Sequence, residues 1–146
     1  MVVFMKQKAI LTQDQVAQAW TFAQSIEGEN QDKVRHDFMG ARIRRDKYNV
    51  DDPYGWIVEY ILDEEFLRKH SKTGADIFCE ANVRVLFFGN WVENMDSSIR
   101  EVADWFRDES GCNIKQYVAF FHPLTPNQKE QLKLIYGLSD EIITSL

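Results

Sequence analysis

The sequence predicts an α+β fold, on three local signals. Thr12-Gln13-Asp14-Gln15 is a capping-box pattern, a hydroxyl followed three residues later by Gln; Val16, Ala19, Trp20, Ala23 and Ile26 then recur at helical spacing. Residues 35–62 hold two short apolar runs around a turn-rich segment, residues 49–55, which reads as a β-hairpin whose second strand opens on Gly55-Trp56. Thr125-Pro126-Asn127-Gln128 is another helix start, with Thr as cap, Pro at the first helical position and Gln three residues on.

Taken in order, residues 2–5 suggest a short strand, and the helix after Thr12 is expected to run on until Gly28. Residues 27–38 are polar and rich in turn formers. In the first hairpin strand the period of two puts Arg42 and Arg44 on one face and Arg45 on the other. In the second, Trp56, Val58, Tyr60 and Leu62 share a face, and Ile57, Glu59 and Ile61 the opposite one. Glu59 is therefore a lone acid among apolar neighbours, either at a strand end reaching water or part of a site. Residues 63–70 read as a helical insertion, followed by a loop to Gly74. Residues 82–88 form a strand pattern broken by Gly89-Asn90. Ser98 with Glu101 makes a further capping box ahead of Ile99, Val102, Trp105 and Phe106; residues 117–121 read as a buried strand. Gly137 should end the helix that Thr125 begins, and residues 139–146 form one more short helix.

A chain of 146 residues with ten Phe, five Tyr and four Trp can bury a core, and is read as one domain over residues 1–146. It has no run of about 18 apolar residues, so no membrane span is expected, and a cytoplasmic protein is the default. Cys79 and Cys112 lack ligand spacing and read as buried free thiols. The net charge of −6 is unevenly placed: residues 1–48 carry +2 and residues 49–146 carry −8. Only Arg42, Arg44, Arg45 and Lys47 approach a basic stripe, which argues against tight non-specific nucleic-acid binding and leaves the three arginines as candidate phosphate contacts.

From residue 16 to about residue 98 the chain resembles small bacterial HNH endonucleases of the ββα-metal type. The resemblance is carried in order by Trp20, Ile26-Glu27-Gly28, Arg35-His36-Asp37, Met39-Gly40-Ala41-Arg42-Ile43, Tyr48 and Tyr54-Gly55-Trp56. It continues with Glu59-Tyr60-Ile61 at the family's Asp-His-Ile signature, then Asn82-Val83, and Trp91-Val92-Glu93-Asn94 at its W-x-N-N. What the resemblance implies is a leading helix and an HNH-like ββα core over residues 12–97. Residues 98–146 would then be a C-terminal extension with two helices and one extra strand, packed on that core.

In such enzymes a divalent ion, often Mg²⁺, bridges the scissile phosphate, held by the signature Asp and an Asn of the following helix, while the signature His is the general base. Here the matching positions hold Glu59, Tyr60 and Asn94. Glu59 and Asn94 keep oxygen ligands. Tyr60 does not keep the base: a phenol with a pKa of about 10 stays protonated at neutral pH, and losing a general base costs on the order of 10²–10⁴ in rate. Two registers are open. If Asn82 fixes the match, Trp91 falls on the metal-binding Asn; if Trp91 fixes it, Asn94 survives and Asn90 stands where the family often has His. Asn82, Asn90 and Trp91 are thus candidate site-lining residues. His36, His70 and His122 read as ordinary surface or turn residues.

Three functions follow. The first is a degenerate, catalytically inactive HNH-like protein acting as a binding or regulatory module, with a protein partner on the C-terminal extension. The second is an active nuclease that uses Mg²⁺ or another divalent metal on Glu59 and Asn94. The third is an acidic nuclease inhibitor of the immunity type, whose acids should cluster on one face.

Overall fold

The structure is a computed structural model and describes residues 7–88 and 124–146. It is a mixed α+β fold in which, among the described residues, two small antiparallel sheets share an apolar cluster with one helix, and a helical clamp closes a second cluster beyond the end of one sheet. Among the described residues no helix is long and apolar enough to cross a membrane.

The chain enters on β1 (Gln7–Lys8) and turns into α1 (Gln13–Phe22). The capping box forms as expected: the Gln15 N–H donates to Thr12 Oγ1, and the Thr12 N–H to the Gln15 side chain. The helix stops earlier than expected, because Ala23 is already extended and the next residues form β2 (Gln24–Ser25) against β3 (Val34–His36). Arg35 makes this end possible. Its guanidinium donates to the Ala23 carbonyl at 2.8 Å, covering the end of α1, and lies over the Trp20 ring. Ile26, placed on the helix by periodicity, therefore lies beyond it.

β4 (Arg42–Arg44) completes the sheet β2-β3-β4, followed by a 3₁₀ turn, Arg45–Lys47. β5 (Trp56–Tyr60) does not pair with β4, so residues 49–55 are not a hairpin turn. They carry the chain from one sheet to the other. Arg44 N–H reaches the Tyr54 carbonyl, Asn49 N–H reaches that of Trp56, and a Tyr48–Trp56 bridge runs parallel. Gly55 is required by close approach: a Cβ there would sit 1.9 Å from the Val50 carbonyl oxygen.

The partner of β5 comes later. After α2 (Glu64–His70), capped by Asp63 Oδ1, and a 3₁₀ turn, Glu80–Asn82, the chain forms β6 (Val83–Phe87). The second sheet has the order β1-β5-β6, with Trp56 opposite Phe87 and Tyr60 opposite Val83. Among the described residues two helices follow, α3 (Pro126–Tyr136) and α4 (Asp140–Ser145), with the expected cap at Thr125 and a further one at Ser139. Gly137 ends α3 in the left-handed region, φ 64°.

Two apolar clusters hold these elements. The first joins Ala19 and Trp20 of α1 to Trp56, Val58, Tyr60, Val83 and Val85, with Trp20 and Trp56 centroids 5.3 Å apart and Tyr48 edge-on to Trp56. The second joins Ile61, Leu62 and Leu67 to Leu132, Tyr136, Leu138 and Leu146. Leu132 is wholly buried there, worth on the order of 1.5–3 kcal/mol of transfer free energy. The clamp is also polar: Tyr136 Oη donates to the Asp76 carbonyl at 2.7 Å and lies 3.2 Å from Cys79 Sγ, and Thr73 Oγ1 donates to the Ile135 carbonyl. Cys79 is half-buried and reduced. The strands expected over residues 2–5 and 117–121, the helix expected after Ser98, Cys112 and His122 lie outside the described residues.

Candidate functional site

The ribbon β5–β6 carries the residues at the centre of the functional question. Strand alternation sends neighbouring side chains to opposite faces, so Glu59 and Tyr60 part company. Tyr60 joins Trp56 and Val58 against α1 and is 8% exposed. Burial pushes its phenol above the ordinary tyrosine value, and the negative charges of Asp76 and Glu64 add to this. At neutral pH it carries its proton and cannot act as a general base.

Opposite Glu59 in the register stands Arg84. Glu59 is wholly buried and Arg84 is 7% exposed; Glu59 Oε1 lies 3.8 Å from Arg84 Nη1. That separation is an ion pair and too long for a hydrogen bond. Burial lowers the guanidinium's pKa from its usual value, and the Glu59 carboxylate beside it works against that fall. The Phe38 ring lies 4.7 Å from the guanidinium carbon, a cation–π contact between a buried charge and a side chain that is itself 40% exposed.

Phe38 is placed by its neighbour. Asp37, 1% exposed, accepts from the Met39 and Ala41 N–H groups on Oδ1 and from the Phe87 N–H on Oδ2. Phe38 N–H then donates to the Val85 carbonyl, so the loop after β3 is stitched to the outer edge of β6. Asp37 belongs to the Arg35-His36-Asp37 motif. Arg35 and Asp37 of that motif therefore both hold backbone, Arg35 the end of α1 and Asp37 the edge of the ribbon.

Asn82, expected to line a site, is a wholly buried staple. Its Oδ1 accepts from Leu62 N–H at 2.7 Å, and its Nδ2 donates to the Leu62 and Ile77 carbonyls. This closes the base of the connection between β5 and β6. Arg42 and Arg44 lie on β4, in the other sheet, and pair with Glu29 and Asp46; both are about half exposed, at 48%. Arg45 is exposed in the 3₁₀ turn, where its carbonyl accepts from Trp56 Nε1. His36 faces Arg42 across β3–β4, and His70 stacks on Phe66. Asn90, Trp91 and Asn94 lie outside the described residues.

A divalent ion needs several oxygen ligands around it. Among the described residues no three His, Cys, Asp or Glu side chains come together to hold one. Glu59 faces a guanidinium, and Asn82 spends its amide on backbone. The described residues do not fit a metal ion as they stand. Arg84 is the residue that sequence reasoning passed over, although a signal existed: it is the one charge in the strand pattern of residues 82–88, as Glu59 is in its own strand. Two strands with complementary lone charges point to a cross-strand pair. Comparison with protein-family models, curated proteins and solved structures finds no match to this chain.

Proposed function

We propose that this chain is an HNH-like protein whose nuclease chemistry has been retired, leaving a binding or regulatory module on the frame of a ββα-metal site. The observation that carries the reading is the Glu59–Arg84 pair: the carboxylate at the family's metal-ligand position is buried against a protein cation. Tyr60, at the family's base position, supports it by packing against α1 on the opposite face. A protein partner, engaged through residues 98–146, suits this chain better than nucleic acid. Arg42 and Arg44 already carry acidic partners, and the net charge is −6.

A plasmid-nicking assay with Mg²⁺ or Mn²⁺ tests the reading. The protein should leave supercoiled DNA intact, and so should Tyr60→His, because the new imidazole enters the apolar cluster facing α1. Metal-dependent nicking by the unmodified chain that disappears in Glu59→Gln, with the circular dichroism spectrum preserved, overturns it.

A further inference from the structure

We infer that α3 and α4 form a latched strap, which lifts from the protein as a unit while the β5–β6 ribbon stays folded, and that the hydroxyl of Thr73 is its latch. This device is independent of the nuclease question. A segment can open alone where few apolar contacts tie it to the rest of the fold. Among the described residues the two apolar clusters share a single side chain, Ile77. The first, around Trp20 and Trp56, contains no residue of α3 or α4. The second sets Leu132, Tyr136, Leu138 and Leu146 on a floor of Ile61, Leu62 and Leu67. Lifting the strap uncovers that floor and leaves the first cluster and the β5–β6 ladder in place.

The latch lies at the end of α3. The last carbonyls of a helix have no partner inside it. Those of Ile135 and Tyr136 find theirs in the loop after α2: Thr73 Oγ1 donates to the Ile135 carbonyl at 2.7 Å, and the Lys72 N–H to the Tyr136 carbonyl at 2.8 Å. Loop and helix end approach so closely that a Cβ on Gly137 would sit 3.1 Å from Thr73 Cγ2 and 3.3 Å from Lys72 Cβ. Deeper in, Tyr136 Oη reaches the Asp76 carbonyl and Cys79 Sγ. Tyr136 is wholly buried and Cys79 half-buried, whereas Thr73 is exposed, so its hydroxyl is the part of the fastening that solvent can reach. A helix is negative at its C-terminal end, where a donor is welcome and an anion is not. The strap therefore loosens when the Thr73 donor is lost, and loosens further when a negative charge replaces it.

The experiment uses the full chain in four forms: unmodified, Thr73→Ser, which keeps the donor, Thr73→Val, which removes it, and Thr73→Asp. Amide hydrogen exchange is followed residue by residue under native conditions, together with N-ethylmaleimide labelling of Cys79 located by peptide mass. Cys79 loses its Tyr136 neighbour when the strap lifts, so its labelling reports the uncovered floor. The amides of Leu132, Lys133 and Tyr136 should exchange together, about fivefold faster in Thr73→Val and about twentyfold faster in Thr73→Asp, with Cys79 labelling rising in step. Thr73→Ser should stay within about twofold of the unmodified chain, and the amides of β5 and β6 should keep their rates in all four forms. Exchange in β5 and β6 that quickens by the same factor as in α3 overturns the inference, because the whole fold is then opening. So does faster exchange in α3 with unchanged Cys79 labelling, which is fraying of the helix alone. Unchanged α3 exchange in Thr73→Val and Thr73→Asp removes the latch, and an Asp variant no faster than the Val one overturns the response to charge.

Discussion

On one face of the β5–β6 ribbon Trp56, Val58 and Tyr60 meet α1 through carbon; on the other, one residue along each strand, Glu59 and Arg84 meet through charge. The two faces are equally buried, yet they fail differently. Apolar packing is graded, and each lost methylene group costs about 1 kcal/mol, more where a cavity remains. A buried ion pair is all or nothing, because removing one partner strands the other.

The strongest way to break this contrast is Glu59→Ala, which should cost about 3–5 kcal/mol in urea unfolding by leaving the Arg84 guanidinium buried without its counter-charge. Replacing both members, Glu59→Leu with Arg84→Met, should recover most of that loss. If the double replacement is no better than the single one, the charged face is held by something other than pairing.

A smaller effect is expected at the second buried carboxylate. Asp37 answers to three backbone N–H groups, so Asp37→Asn keeps one acceptor oxygen but turns an amide N–H₂ toward the Phe87 N–H. About 2 kcal/mol of stability should go, and hydrogen exchange at Phe87 should quicken. Equal protection at Phe87 in both proteins would mean that the edge of β6 holds without the stitch.

The apolar side should reveal itself only in alkali. Tyr48, Tyr60 and Tyr136 all have phenols raised above the ordinary value, burial being the leading cause in each. A raised folded pKa means the fold favours the protonated form. This contribution is complete below about pH 10, the unfolded value, and is lost as pH rises beyond it. Phenolate absorbance from these three residues should therefore appear together with loss of the circular dichroism signal. Titration of Tyr48 or Tyr60 at pH 10 in an intact fold would show that the first cluster admits water, and of Tyr136 that the second does.

What could be read from the residues alone follows from range. The caps at Thr12, Asp63, Thr125 and Ser139, and the left-handed Gly137, involve partners within four residues, and three of these five were legible directly, at Thr12, Thr125 and Gly137; Asp63 and Ser139 were legible only as the starts of short helices. The alternation of Trp56, Val58 and Tyr60 against Glu59 was legible for the same reason. Strand pairing was not. The turn chemistry of residues 49–55 is genuine, but Gly55 serves a backbone approach to Val50, and the strand after it pairs with β1 and β6. Nothing local states that β5 will skip its neighbour and wait for residues 83–87. The Glu59–Arg84 pair and the roles of Asp37 and Asn82 depend on that register, so the candidate site was legible in its residue types and not in its connections.

Tyr136 carries a consequence for how the chain assembles. Asn82 meets Leu62 across 20 residues, whereas Tyr136 reaches the Asp76 carbonyl across 60. Loop-closure entropy grows with the logarithm of length, so the wider closure costs about 1 kcal/mol more before any contact repays it. The ribbon can therefore close on its own staple first, and the clamp docks onto a connection that is already shaped. Contacts that form after the rate-limiting step leave the folding rate alone and slow unfolding. On that order of events, the α3 clamp sets how long a folded molecule lasts, while the β5–β6 ribbon sets how quickly one is made.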